Sequence, residues 1–248
     1  LHKSRLPLAM ELESDRMRNL VLTEEEFSKE IKVVMEERRL RTDDQARALV
    51  HEKLMATSYQ SHPYRHPVIG WMNDLQNMTV GDARQWYERW YAPNNAVLVV
   101  VGDVDPKQVF ALARKYYGPI KAQSVPVLDQ RKPQIEPQQL GIKRLTVKAP
   151  AQLPYIEMAY HAPALREPET DWEPYALEML AGVLDGNESA RLNKVLVREQ
   201  RVASAAGASY DSTTRGLAAF YLDGPPSEGK TVADVEAALR VEIEKLLR

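Results

Sequence analysis

Thr23–Arg41, TEEEFSKEIKVVMEERRLR, is the stretch from which the rest of the sequence is read. At 3.6 residues per turn Phe27, Ile31, Val34 and Met35 fall on one side, with Val33 and Leu40 on its flank. Glu25, Lys29, Lys32 and Glu36 face the other way, so the pattern predicts an amphipathic helix. Glu30 and Glu37 interrupt it. Both sit inside the apolar arc, nearly two turns apart and so in almost the same direction. A carboxylate on a core-facing stripe is costly unless it is ion-paired, hydrogen-bonded or bound to a metal. Glu26 needs no such account, because Thr23 and Glu26 have capping-box spacing. For Glu30 and Glu37 two accounts stand open. One pairs them with Arg38 and Arg41, close by on the same helix. The other makes the helix a wall of a polar, metal-bearing cleft. Seven residues of helix rise about 10.5 Å, so one carboxylate would be a ligand and the other a supporting group.

The chain around this helix has 248 residues, enough for one large domain or two smaller ones. With 44% apolar and 27% charged residues it has the composition of a globular protein. A net charge of −2, with no cluster of Lys and Arg, gives no basis for nucleic-acid binding. No apolar run approaches the roughly 18 residues that a membrane span needs. The absence of cysteine excludes disulfides and thiolate sites and leaves the redox compartment open. The sequence begins on Leu1 without a signal or transit pattern and stops inside the helical pattern VADVEAALRVEIEKLLR. Both ends are expected to be cuts in a longer protein.

Residues 1–20 read mainly as helix, interrupted near Pro7, and a further helix is predicted over about 42–58. HPYRHPVIGWMNDLQNM reads as a loop, and Thr79 with Asp82 opens a helix through Tyr91. Asn95–Val101, NAVLVVV, is a continuous β-branched run and predicts a buried strand. Gly102-Asp103 turns it, Asp105 caps a helix with Pro106 at its first position, and Gly118 ends that helix. The proline-rich stretch 119–141 reads as a linker. Beyond it IKRLTVKA and PYIEMAYHA predict strands, followed by helices at about 171–185 and 189–200. ASAAGASYD and GLAAFYLDG predict two more strands before a last helix capped by Thr231. The fold class expected is therefore α/β (α+β), in two modules on either side of the linker.

No complete catalytic constellation is visible in the residues alone. His62 and His66 in HPYRH have a spacing that binds zinc on a helix, but Pro63 and Pro67 oppose a helix there. Loop packing and hydrogen bonding are their expected roles. His2, His51 and His161 are isolated, neither HExxH nor HxxEH occurs, and no dinucleotide fingerprint or P-loop is present.

Several blocks taken together resemble the insulinase/pitrilysin family of zinc metallopeptidases, in particular its bacterial members with two homologous halves. They are KEIKVVMEER, SHPYRHPVIGWMNDLQNMT, ARQWYERWYAPNNAVLVVVGDVDP and LDGNESARLNKVLVREQ, in that order along nearly the whole chain. In that family an HxxEH helix carries two zinc-binding histidines and the general base, and a downstream glutamate is the third ligand. The resemblance implies that Glu37 is this ligand and Glu30 its supporting partner. It also implies that Arg198 contacts the substrate, although Ser204 and not tyrosine occupies the position of the companion hydroxyl, and the next tyrosine is Tyr210.

The resemblance places residues 1–118 in the later part of the zinc-binding half, 119–141 in the interdomain linker and 142–248 in the early part of the second half. Each half would be a mixed or antiparallel sheet packed against helices, both incomplete here. The intact protein would hydrolyse peptide bonds with a zinc-bound water, taking a peptide or protein as partner, and in many relatives it is periplasmic. With HxxEH expected before Leu1, this chain would hold no zinc and be inactive by itself, because such catalysis needs three protein ligands, a water and a base. The other reading is a non-catalytic relative that binds a second peptidase-like subunit.

Overall fold

Pro7 begins a helix where the sequence suggests an interruption: it lies in the first turn of α1 (Leu6–Asn19), where its missing N–H costs no bond. The computed structural model describes residues 1–126 and 135–246. In chain order α1 is followed by α2 (Glu24–Arg38), a π-helical turn (Arg39–Asp43), α3 (Ala46–Ser58), α4 (Met72–Asn77), α5 (Val80–Trp90) and α6 (Pro106–Tyr116). Then come β1 (Ile156–Ala162), α7 (Glu173–Asp185), a second π-helical segment (Asn193–Glu199), β2 (Gly207–Tyr210), β3 (Ala218–Gly224) and α8 (Val232–Glu244). None of the described helices is long and apolar enough to cross a membrane.

Two units divide these elements: Leu1–Glu37 with Trp71–Pro133, and Arg38–Gly70 with Gln134–Arg248. This division is not sequential. It draws residues 38–70 out of the region before the linker, since α3 packs on β1. Positions 127–134 of the expected linker and the last two residues of the expected final helix lie outside the described residues.

Capping chemistry sets the helix ends of the first unit. The Glu26 N–H donates to Thr23 Oγ1 at 3.2 Å at the start of α2. At α5 the Thr79 N–H donates to Asp82 Oδ2 (2.8 Å) and the Asp82 N–H to Thr79 Oγ1 (3.3 Å), a complete capping box. Asp105 accepts from the Lys107 N–H at 3.1 Å to start α6. At the other end the Gly118 N–H donates to Arg114 O at 3.2 Å, and a Cβ on Gly118 would come within 2.3 Å of that oxygen. Only glycine fits there.

The predicted strand at Asn95–Val101 does not join a ladder. Val97, Val99 and Val101 are 89, 73 and 92% exposed, whereas Leu98 is 48% exposed and Val100 only partly so. The alternation of a strand is present and its neighbours are not. Sheet backbone needs a paired strand for its N–H and C=O groups, and among the described residues this unit supplies none. IKRLTVKA in the second unit is likewise outside any ladder, with Ile142 73% and Leu145 39% exposed.

The second unit holds the sheet, antiparallel in the order β1-β3-β2. β1 pairs with β3 from Ile156↔Gly224 to Ala162↔Ala218, and β2 pairs with β3 from Gly207↔Asp223 to Tyr210↔Phe220. Strand alternation puts Phe220 and Leu222 into a core with Leu184 of α7, Leu192, Leu196, and Val235 and Leu239 of α8. Leu222 is 0% exposed and is reached from both neighbouring strands, Met158 on one side and Ala208 on the other. Leu222→Ala is expected to cost about 2–5 kcal/mol, measured as a lower urea midpoint at unchanged slope.

Candidate functional site

The two carboxylates singled out on α2 differ in exposure: Glu30 is exposed and Glu37 is half-buried. The inward orientation expected of both is therefore not found for Glu30. The physical reason is that the apolar arc itself is only partly covered. Phe27, Ile31, Val34 and Met35 are of intermediate exposure, and Val33 and Leu40 are 58 and 59% exposed. A stripe without a covering layer does not bury the groups that share it.

Arg38, the next residue on α2, is 4% exposed and makes the deepest ionic contact near this site. Its Nη1 donates to Glu52 Oε2 at 2.8 Å and its Nη2 to Glu52 Oε1 at 3.2 Å, the two-pronged pairing that a guanidinium makes best. Nη1 also donates to Gly70 O at 2.8 Å, and Asp43 lies 3.3 Å from Nη2. Glu52, Asp43 and the Gly70 carbonyl thus surround the Arg38 guanidinium.

Arg198, at the end of the π-helical segment, is exposed, and its Nη2 donates to Glu188 O at 2.5 Å. Ser204 lies near it. Both line an open concavity of about 660 Å3 that also includes Arg201, whose backbone has a φ of 52°. Thus Arg198 and Ser204, where the resemblance leads one to expect a tyrosine, line one concavity. Tyr210 does not substitute: it lies on β2 and its hydroxyl donates to Pro163 O.

A second polar group joins α3 to the sheet. His51 Nδ1 is 2.7 Å from Glu157 Oε1, His51 packs on Tyr221 at 5.7 Å, and the Tyr221 hydroxyl reaches Met55 Sδ at 3.1 Å. The hydrogen bond to Glu157 raises the His51 pKa above its ordinary 6.5, although burial acts to lower it. A raised folded-state value means that this contact stabilises fully below the ordinary histidine range and is lost as pH rises through the folded value. Docking of α3 is expected to loosen over that interval, read as faster hydrogen exchange in α3, and Glu157→Gln to flatten the dependence.

His62 packs its loop, as expected: its Nδ1 accepts from the Tyr64 N–H at 3.2 Å and its ring meets Tyr64 edge-on at 4.4 Å. The same loop binds Glu136, inside the expected linker. Glu136 accepts from the N–H groups of Gln60 (2.5 Å), Ser61 (2.9 Å) and His62 (2.9 Å). Burial works against its charge, but these bonds prevail and hold its pKa at about 2.

Residues 77–248 match the family model described as the peptidase M16 inactive domain. The chain belongs to the M16 peptidase family. It is 33% identical over 208 residues to the zinc protease PqqE of Helicobacter pylori, covering 82% of this chain and 45% of that protein. The crystal structure of a protease from Helicobacter pylori superposes with a TM-score of 0.87 at 29% identity, covering 99% of this chain and 58% of the other. The periplasmic protease PqqL from Escherichia coli shares the fold at a TM-score of 0.67 and 18% identity, over 92% of this chain and 25% of its own. The chain thus spans about half the length of the curated relatives it matches. The mixed α/β fold is an M16-like fold.

The residues present do not by themselves make the metal centre that the zinc-protease relatives imply. Among the described residues no group of three or more His, Cys, Asp or Glu side chains is placed to hold a metal ion. His51 is engaged by Glu157 and His62 by its own loop. Glu37 offers one carboxylate where a catalytic zinc takes three protein ligands.

Proposed function

We propose that the chain is part of a zinc-dependent metalloendopeptidase of the M16 family and does not cleave peptide bonds by itself. In this reading Glu37 supplies one zinc ligand, Glu30 supports it and Arg198 contacts the substrate. Residues 1–118 belong to the zinc-binding half, 119–141 to the linker and 142–248 to the substrate-side half. The observation that carries it is the 33% identity to a named zinc protease over 45% of that protein's length. The match of residues 77–248 to the inactive-domain model supports a chain in which the remaining ligands lie elsewhere in a longer polypeptide. A peptide or protein is the partner, zinc the cofactor of the intact enzyme, and the periplasm its place by analogy with PqqL of Escherichia coli.

A second reading, a non-catalytic subunit that pairs with another peptidase-like chain, is favoured by one observation: Ser204 stands beside Arg198 where a longer hydroxyl is expected. Peptide-cleavage assays on the purified chain and on the natural longer polypeptide separate the two. The first reading expects chelator-sensitive turnover from the longer polypeptide and none from this chain. Turnover by this chain refutes its inactivity, and a longer polypeptide that neither binds zinc nor cleaves establishes the subunit.

A further inference from the structure

Arg201 comes directly after Gln200, the C-cap of the second π-helical segment. Its φ of 52° makes it the only non-glycine residue, among the described residues, in the left-handed region. The bonds that end the segment enforce this: the Gln200 N–H donates to Val195 O at 2.8 Å and the Val202 N–H to Leu196 O at 2.9 Å. Glycine is the usual residue at such a place, because a Cβ there crowds the neighbouring carbonyl. An arginine kept in a strained backbone conformation points to a use for its side chain. We infer that the concavity of about 660 Å3 holding Arg198, Arg201 and Ser204 is a subsite for a peptide carboxylate, gripped by Arg201. That the ligand is a peptide rests on the function proposed above; that the group bound is a carboxylate rests on the lining residues.

Ser227 and Glu228 share that lining. Two guanidinium groups against one carboxylate leave one net positive charge, which suits a singly charged anion better than a phosphate dianion. Carboxylates are the anions a peptide carries, at its chain end and on aspartate and glutamate. A guanidinium meets a carboxylate with two parallel N–H bonds. Arg198 spends one nitrogen on Glu188 O and keeps further donors. Arg201 is exposed and, among the described residues, its guanidinium engages no acceptor. The Ser204 and Ser227 hydroxyls are likewise uncommitted among the described residues and can donate to the same anion.

Backbone bonds fix the frame on which these groups stand. The Ser204 N–H donates to Pro225 O and the Ser227 N–H to Val202 O, both at 3.0 Å, on either side of a β-bridge between Ala203 and Pro226. Val202 and Ala203 are buried, so the turn that carries Arg201 is anchored by the two residues after it. The left-handed turn therefore sets the direction in which the Arg201 side chain leaves the backbone. Donors held in place before the ligand arrives lose less freedom on binding it.

Three acetylated pentapeptides of alanine and leucine test the subsite on this purified chain without zinc: one with a free carboxyl end, its C-terminal amide, and that amide with a glutamate at its centre. Binding is read from the arginine Nε–Hε signals in nitrogen-15 NMR spectra. At least one of the two carboxylate peptides is expected to shift the Arg198 and Arg201 signals and to bind about tenfold tighter than the plain amide. A tighter free acid marks a chain end as the ligand and a tighter glutamate peptide a side chain, and either bears the proposal out. Arg201→Gly is expected to lose about the same tenfold while its urea midpoint stays at or above the parent's, since glycine takes this conformation without strain. Arg201→Lys keeps the charge but not the fork, and should recover only part of the binding. The proposal is overturned if the plain amide binds as tightly as both carboxylate peptides, or if none of the three binds. It is overturned equally by an Arg201→Gly chain that binds like the parent, or whose midpoint falls below it, since the arginine would then serve the helix end. Inorganic phosphate that binds tighter than either carboxylate peptide overturns it as well. None of these measurements reads turnover, so a longer polypeptide that cleaves nothing would refute the function proposed above and leave the subsite standing.

Discussion

Glu37→Gln in the natural longer polypeptide is expected to lower zinc occupancy by more than 100-fold and peptide cleavage with it. The amide keeps the size of the side chain and removes the charge, so a ligand role is tested without opening a cavity. Replacing a group that merely supports a metal ligand costs roughly 10–100-fold in affinity or activity, and removal of a ligand exceeds that. Glu30→Gln, at an exposed position nearly two turns earlier on the same helix, is expected to fall within that smaller range. In this chain Glu30→Gln should change the unfolding free energy by no more than about 0.5 kcal/mol, as for exposed positions generally. Metal analysis by mass spectrometry decides the question. Unchanged zinc in the longer Glu37→Gln protein would remove Glu37 from the ligand set.

Arg38→Ala is expected to have the largest effect on stability, about 3–5 kcal/mol. The side chains of Arg38 and Glu52 are each 5% exposed, so truncating one leaves the other charged and out of water. Arg38→Lys should recover little, because an ammonium cannot make both bonds to Glu52 and also reach Gly70 O. Exchanging both partners for apolar residues of similar volume, Arg38→Met with Glu52→Leu, should restore most of the loss. Urea unfolding of the four proteins at neutral pH measures this, and an Arg38→Ala protein as stable as the parent would show that the pair is not the clasp it resembles.

Local chemistry was the most legible part of the fold. Thr79 with Asp82 and Thr231 with Asp234 mark helix starts within four residues of sequence, and both form as written. β1, β2 and β3 were likewise visible, because each finds its partner within the second unit. Asn95–Val101 and IKRLTVKA carry the same kind of signal and form no ladder. The period of a strand records which residues it will bury, but pairing is a property of two segments, and the second is not among the described residues. Site residues follow the same division. Glu30 and Glu37 stood out because they share a helix face. Arg38 and Glu52 did not, since fourteen residues and a change of direction separate them and no local pattern joins them. His51 and Glu157, 106 positions apart, were further out of reach.

Six consecutive residues, Ala96–Val101, contain no charge and no proline, and three of their valines stand almost wholly in water. Such a segment is a template for cross-β stacking between molecules. Concentrated solutions of this chain are therefore expected to cloud through this short ribbon, and Val99→Lys is expected to act as a gatekeeper that keeps them clear, as read by light scattering.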